Sequence, residues 1–488
     1  MSPRSNDPAD VIIIGSGAGG GAAAYRLVLA GLRVLVLEKG APLPHDGSTL
    51  DIQRVVAQGE FLSKEPWIDG KGNALCPEEH FNLGGKTKWY GAAVLRYSPR
   101  EFESEAAYSA RGWPIGHADL APYYDEAERL LGVRTFDCEP DLQRILARLS
   151  AVNQAWQSSP LPMALSSGIL GNRNEATHFD GFASAADLKG DADISFLRLV
   201  ANRPNFTLRN NTEVVELLPA SSGESRVGAV RLAGGEELQA PNILLAAGAL
   251  HSPRLLSRYL AKSGRSAPLS DLGQVGRNLK KHVLTALIAV SPSRKSDLLR
   301  KTMITTHADY PHSSVQPLGF DGELIATLVP KLVPRIVARL FGRHAYGFFL
   351  QTEDGSHADN RVSEGPAATT NGAPARIMDY DVGRIPASVS EHRAFTRAFR
   401  RDLFRLGMLS FTQPTGLNGT AHAVGTLIAG KDARDAVVDA DGAVFGIAGL
   451  YVVDGSILPR SSRVNPSLSI FAWGLRVADR LANRLRQK

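Results

Sequence analysis

Cysteine is almost missing from this sequence: Cys76 and Cys138 are the only two in 488 residues. Two thiols exclude a disulfide scaffold, a four-cysteine zinc site and an all-cysteine iron–sulfur cluster, and no metal site is expected. An excess of one charge is missing too. Lys and Arg number 55 against 49 Asp and Glu, a net charge of +6. No basic block interleaved with aromatics stands out, so nucleic acid is not an expected partner. There is no unbroken apolar run of the roughly 20 residues a membrane span needs. Even the most apolar early stretch, 11–37, is interrupted by Arg26, Arg33 and several glycines. The first ten residues show neither an apolar run before a cleavage site nor a twin arginine, which reads as a cytoplasmic protein. At 43% hydrophobic and 21% charged, the chain is neither a disordered tail nor a fibrous repeat. Its length suits two fused domains.

Glycine is the residue in surplus, 47 of 488, against the usual roughly 7%. Its first cluster is informative. A β-branched run at 10–14 reads as a buried parallel strand, 22–30 has helical character, and 33–37 reads as a second buried strand. Between the first strand and the helix lies Gly15-Ser16-Gly17-Ala18-Gly19-Gly20, which fits G-x-G-x-x-G. Gly15 permits the tight turn, Gly17 lets backbone approach a pyrophosphate, and Gly20 lets helix and strand pack closely. The helix N-terminus offers free N–H groups and a partial positive charge to phosphate. Glu38 closes the second strand, at the spacing of about 20 residues where a carboxylate accepts the ribose hydroxyls of an adenosine.

Further along, 206–217 and 226–232 resemble strands of a meander, 119–132 a helix with a glycine stop, and 241–248 another buried strand ending in glycine. The stretch 353–375 is rich in turn formers and reads as a surface loop. A last buried strand is expected at 451–454 and a final helix at 466–485. Residues 328–349 are amphipathic: Lys331, Arg335, Arg339 and Arg343 form one stripe opposite Leu332, Val333, Ile336, Val337, Leu340 and Phe341. They read as a surface helix roofing a substrate domain, or as an access lid or membrane-surface contact. The helix around 391–406, with several arginines, reads as a solvated one.

Six ordered blocks resemble the glucose–methanol–choline (GMC) family of flavin oxidoreductases. They are the run 82–93 (Asn-Leu-Gly-Gly-Lys-Thr-Lys-Trp-Tyr-Gly-Ala-Ala), the run 247–256, the run 275–282 (Val-Gly-Arg-Asn-Leu-Lys-Lys-His), the run 422–426, the run Val453-Asp454-Gly455-Ser456, and Asn465-Pro466. The resemblance spans nearly the whole chain. It implies an α/β fold, α+β overall. A Rossmann-like FAD-binding domain is built from the separated segments 9–100, 186–290 and 416–488. A substrate-binding domain, 101–185 and 291–415, with a mainly antiparallel sheet and helices, is inserted.

By position the resemblance also implies roles. Gly84, Gly85, Thr87, Tyr90, Gly91, Ala92 and Ala93 would line the pyrophosphate and the flavin ring. Val214 would bind the adenine edge through its backbone, and Gly248 would lie by the adenosine. Asp454, with Gly455 beside it, would bind the ribityl or pyrophosphate region, or else be a strand-end turn residue. Two departures matter. Trp89 stands where some members carry a histidine that bonds covalently to flavin, so FAD would be held non-covalently. Tyr90 stands where an asparagine often approaches the flavin N5.

Oxidation of an alcohol by flavin needs a base for the hydroxyl proton and a donor for the developing alkoxide. The resemblance assigns these to His422 and Asn465. Asn465-Pro466-Ser467 also reads as an N-cap followed by proline at the first helical position. The two readings of Asn465 are compatible, because a helix N-terminus aimed at flavin would stabilise its reduced N1–C2=O locus, with the Ser467 N–H as a candidate donor and Pro466 having none to give. His282 reads as structural. The implied activity is FAD-dependent oxidation of a CH–OH group in a sugar, glycoside or other alcohol, with oxygen, a quinone or another carrier as electron acceptor. Alternatives on the same fold are a non-redox lyase, a light-driven fatty acid decarboxylase and an oxidase of an apolar, sterol-like alcohol. A scaffold with a vestigial flavin site is a further one, against which the intact His422–Asn465 pair argues.

Overall fold

The computed structural model describes residues 9–487 except 221–224, 263–272, 320–323, 325–326, 328–334 and 368–373. Its first large element is a five-stranded parallel sheet in the order Leu450–Val452, Asn242–Leu245, Val11–Ile14, Val34–Leu37, Phe206–Arg209. Four of the five strands are short and almost wholly apolar, as burial on both faces requires. Val11, Ile12 and Ile13 are fully buried. Val11–Ile14 pairs with Asn242–Leu245 on one side and Val34–Leu37 on the other. The chain therefore leaves the central strand at the point where strand order reverses, and the crevice beyond the carboxyl ends of such strands is where α/β sheets bind ligands. The helix Ala18–Leu29 follows at once. It packs against the C-terminal helix Ser467–Arg486, so closely that a Cβ on Gly474 would lie 2.6 Å from the Gly19 carbonyl oxygen.

The second large element is a six-stranded antiparallel sheet in the order Leu409–Pro414, Val283–Val290, Ala345–Thr352, Tyr310–Leu318, Met303–His307, Trp156–Pro160. One face carries Leu287, Val315 and Phe348 into a core with the helices Pro140–Val152 and Pro386–Arg405, through Leu142, Leu149, Phe395 and Phe399. The opposite face is polar. There Ser314 and Gln351 both donate to the Arg463 carbonyl, at 2.7 and 2.6 Å. A four-stranded mixed sheet and a three-stranded antiparallel one complete the fold.

Several elements depart from the sequence reading. The run 206–217 is not one meander arm. Phe206–Arg209 is an edge strand of the parallel sheet, and only Val214–Pro219 joins the meander with Val227–Leu232. The break is at Asn211, which takes a left-handed backbone (φ 52°). The region 353–375 is not a surface loop: Glu353 and Asp354 are fully buried, and Arg361–Ala367 pairs with Pro374–Asp379. Its turn-forming composition hides inward residues such as Val362, which packs with Met378 and Trp67. The amphipathic stretch is helical only over Arg335–Gly342 and becomes a buried strand at Ala345, while 328–334 lies outside the described residues. Val283–Val290, assigned by sequence to the nucleotide segments, hydrogen-bonds on both sides within the antiparallel sheet. Among the described residues no helix is long and apolar enough to cross a membrane.

Candidate active site

The first turn of the parallel sheet is built by backbone that tolerates no side chain. Gly15 has φ 104°, and a Cβ there would lie 2.4 Å from the Ala246 carbonyl oxygen. A Cβ on Gly20 would lie 2.1 Å from the Gly15 oxygen. Gly19, which the motif leaves as a variable position, is tighter still: its Cβ would lie 1.7 Å from the Val453 oxygen. Gly17 is different. Nothing lies within 4 Å of a Cβ placed on it, so its backbone faces open space. It is the N-cap of Ala18–Leu29, with no side-chain capping bond, and first-turn N–H groups have no intrahelical partner. Glu38 closes the turn. One carboxylate oxygen accepts from the Ser16 amide (3.0 Å) and hydroxyl (2.6 Å), the other from the Gly40 amide (2.9 Å). Burial pushes the Glu38 carboxyl up from its ordinary pKa. The Glu38 carbonyl accepts from Thr212, which leads into the strand that begins at Val214.

The 82–93 run wraps the same turn. Gly84 and Gly85 have φ 84° and 56°. The Gly84 amide donates to the Ser16 hydroxyl (3.0 Å), and a Cβ on Gly85 would lie 3.2 Å from Gly17 Cα. Thr87 donates to the Gly84 carbonyl and accepts from the Ala192 amide, so its hydroxyl braces the loop. Trp89 is buried, stacked on His80 and close to Phe61, and its indole N–H donates to Asn82. The Tyr90 hydroxyl donates to the Gly190 carbonyl at 2.5 Å. Gly91 abuts the Asp180–Lys301 ion pair (2.9 Å), whose atoms a Cβ there would strike at 2.2 Å. Ala92 takes φ 52°, and Ala93 is buried beside it.

Gly248 (φ 83°) leaves open space where a Cβ would stand. Its amide donates to Asp454, which also accepts from Ser252, from the Ser456 amide and from the Ser456 hydroxyl. Each oxygen of Asp454 thus already takes two protein donors. It is a brace that joins two loops, with Gly455 beside it. Burial pushes its carboxyl upward as well.

The structure brings His422 and Asn465 together: Asn465 Nδ2 lies 3.4 Å from His422 Nε2. Asn465 is not a helix cap. The helix begins at Ser467 with Pro466 at its cap position and no side-chain capping bond, while Asn465 Oδ1 accepts from Gln316 Nε2 at 2.6 Å. The Ser467 hydroxyl is shielded from solvent and has no protein partner among the described residues. His282 touches His422 directly. Its Nδ1 lies 2.7 Å from His422 Nδ1, and its Nε2 lies 2.9 Å from the Ser462 carbonyl oxygen. His282 and Gln316 are buried, whereas His422 and Asn465 keep partial exposure. Neither His282 nor Gln316 was distinguishable by spacing. The one available signal was the position of His282 at the end of a motif, directly before an apolar strand.

These residues fit FAD. The open faces of Gly17 and Gly248, the uncapped helix start and the unpartnered Ser467 hydroxyl leave room and donors for a dinucleotide. No cluster of His, Cys, Asp and Glu suited to a metal occurs among the described residues.

A family model described as FAD dependent oxidoreductase matches residues 10–270, and one described as GMC oxidoreductase matches residues 375–474. The chain is 30% identical to the 6'''-hydroxyparomomycin C oxidase of Streptomyces lividus, over 98% of this chain and 92% of that protein. It is equally 30% identical to the paromamine 6'-oxidase of Streptomyces fradiae, with the same coverage. Among solved structures, pyridoxine 4-oxidase from Mesorbium loti superposes with a TM-score of 0.68 at 19% identity, covering 98% of this chain and 99% of that one. Formate oxidase of Aspergillus oryzae RIB40 gives 0.69 at 14% identity, over 99% and 100%.

Proposed function

The chain belongs to the GMC family of FAD-dependent oxidoreductases, and on that premise we propose that it oxidises a CH–OH group of a sugar, amino sugar or related polyol to a carbonyl. His422 is the base and Asn465 the oxygen-side donor. The observation that supports this most directly is the 3.4 Å approach of His422 Nε2 to Asn465 Nδ2. A hydroxyl lying against both nitrogens meets an acceptor for its proton and a donor for its oxygen, the two things an incipient alkoxide requires. Burial holds His422 well below its ordinary pKa, so it is the free base at neutral pH. When bound, FAD supplies the acceptor for the hydride that leaves the carbon. Trp89, which has no imidazole to offer, favours non-covalent attachment.

The substrate class rests on two further points. The Asp180–Lys301 pair abuts Gly91 in the flavin loop, and Lys301 is close enough to His422 to lower its proton affinity. A carboxylate and an ammonium at the wall suit a hydroxyl- or amine-bearing substrate better than a sterol-like alcohol or a fatty acid. The two Streptomyces relatives are likewise named for amino sugars. We assign the nucleotide unit to 9–100, 186 to about 282, and 416–488. The strand Val283–Val290 is moved to the substrate unit because it pairs only there.

The test is anaerobic mixing of the flavin-loaded protein with a panel of alcohols, sugars and amino sugars while following flavin absorbance. Polyols and amino sugars should bleach it. No bleaching by any of them would overturn the reading. His422→Ala should slow bleaching by about 10²–10⁴-fold while FAD stays bound. Bleaching at the wild-type rate would remove His422 as the base.

A further inference from the structure

The contact between two histidine rings fixes more than their distance. The Ser462 carbonyl can only accept a hydrogen bond, so the 2.9 Å contact places a proton on His282 Nε2. Burial holds His282 down to about 4, so at neutral pH that is its only ring proton, and its Nδ1 is bare. The Nδ1–Nδ1 contact of 2.7 Å needs one hydrogen between the rings, and His422 must provide it. His422 is neutral too, held down by burial, by His282 and by the Lys301 and Lys86 charges. A neutral imidazole with its proton on Nδ1 has a bare Nε2. That nitrogen faces Asn465. The asparagine is oriented in turn, because Gln316 Nε2 donates to Asn465 Oδ1 and leaves Nδ2 as the end turned to His422.

We propose that His282 is a positioning residue whose bare Nδ1 draws the proton of His422 onto Nδ1, so that His422 Nε2 is always the end that receives the substrate proton. Gln316 does the same for Asn465, keeping its amide N–H on the oxygen side. The proton balance is simple. The substrate O–H bond breaks, an N–H bond forms at His422 Nε2, and the electron pair stays on the oxygen. The resulting charge spreads along a hydrogen-bonded chain that ends at the Ser462 carbonyl. Without His282, His422 is free to adopt the other tautomer, in which Nε2 carries hydrogen and has no lone pair to offer. A mis-set tautomer is known to cost orders of magnitude in a comparable base. The proposal rests on His422 being the base.

The test uses flavin-loaded protein labelled with ¹⁵N-histidine. Long-range ¹H–¹⁵N correlation at pH 7 should show His422 as the Nδ1–H tautomer and His282 as the Nε2–H tautomer. The Nε2–H form at His422 would overturn the proposal even if no variant folded. Two variants separate positioning from packing. His282→Asn places an amide oxygen near the old Nδ1, where it can accept from His422. His282→Gln reaches instead toward Ser462 and leaves His422 without its acceptor. Flavin reduction should fall at least about 10-fold in His282→Gln, in kcat rather than KM, and be largely rescued in His282→Asn. Equal loss in both, or better rescue by glutamine, would mean that His282 only ties down the Ser462 segment. A His422→Ala variant reducing at the wild-type rate would refute the base assignment. The resting tautomers would still report on His282, so the two failures are distinguishable.

Discussion

In the first nucleotide turn one carboxylate organises three chain segments: Glu38 holds Ser16 and Gly40, and the Ser16 hydroxyl in turn accepts from Gly84. Removing it frees the phosphate loop and the flavin loop together. Each hydrogen bond to a charged group is worth about 1.5–3 kcal/mol, so Glu38→Ala should raise the FAD dissociation constant by at least about 10-fold. The return of flavin fluorescence on dilution measures it. An unchanged constant would take Glu38 out of the site. Residues of this turn were legible in the sequence because their contacts are local and their chemistry repeats along one strand–helix–strand unit. His282 and Gln316 were not. They meet His422 and Asn465 across separations of 140 and 149 residues, which no spacing reveals. That Asn465 would meet His422 was legible, but its contact with Gln316 was not, since a cap followed by proline has the same sequence as an asparagine drawn away by Gln316. The four protein donors of Asp454 were not foreseeable either.

Ala18–Leu29 shows at the scale of an element how glycines of one motif serve different ends. A Cβ on Gly19 would collide with the Val453 backbone carbonyl, which cannot swing aside as a flexible side chain could. Gly19→Ala should therefore destabilise the fold by about 1–3 kcal/mol, the usual cost of overpacking, seen as a lower thermal midpoint of the flavin-free protein. Gly17→Ala meets nothing, so it should leave that midpoint unchanged and weaken FAD binding instead. If both variants lower the midpoint alike, the open face at Gly17 is not a ligand site. The helix His117–Leu131, stopped by Gly132 at φ 64°, was readable because periodicity and stop signal agree. The strand Arg361–Ala367 was not, because composition alone marks turns and says nothing of a partner strand that follows it.

Over the whole molecule, buried charge sets a pH dependence of stability. Burial lowers Lys189 and Lys280 to about 7 and Lys281 to about 8, against about 10.4 in an unfolded chain. Above pH 7 the unfolded state therefore binds more protons than the folded one, and stability rises with pH. Below that, Asp354, pushed up to about 7, opposes His282 and His392, both held down to about 4. The thermal midpoint should accordingly be higher at pH 8.5 than at pH 7. A fall over this interval would show that the lysines keep their protons inside the fold. Another property of the whole is topological. The parallel sheet begins with Val11–Ile14, yet its outermost strand is Leu450–Val452, and Asp454 and the helix Ser467–Arg486 close over the first turn from there. A chain emerging from the ribosome by its amino end carries half a nucleotide cradle until the segment from Leu450 to Arg486 has been made. Cofactor capture must therefore wait for that late segment. Meanwhile the Asn242–Leu245 edge lies open to mispairing, in a fold whose long-range pairings already make assembly slow.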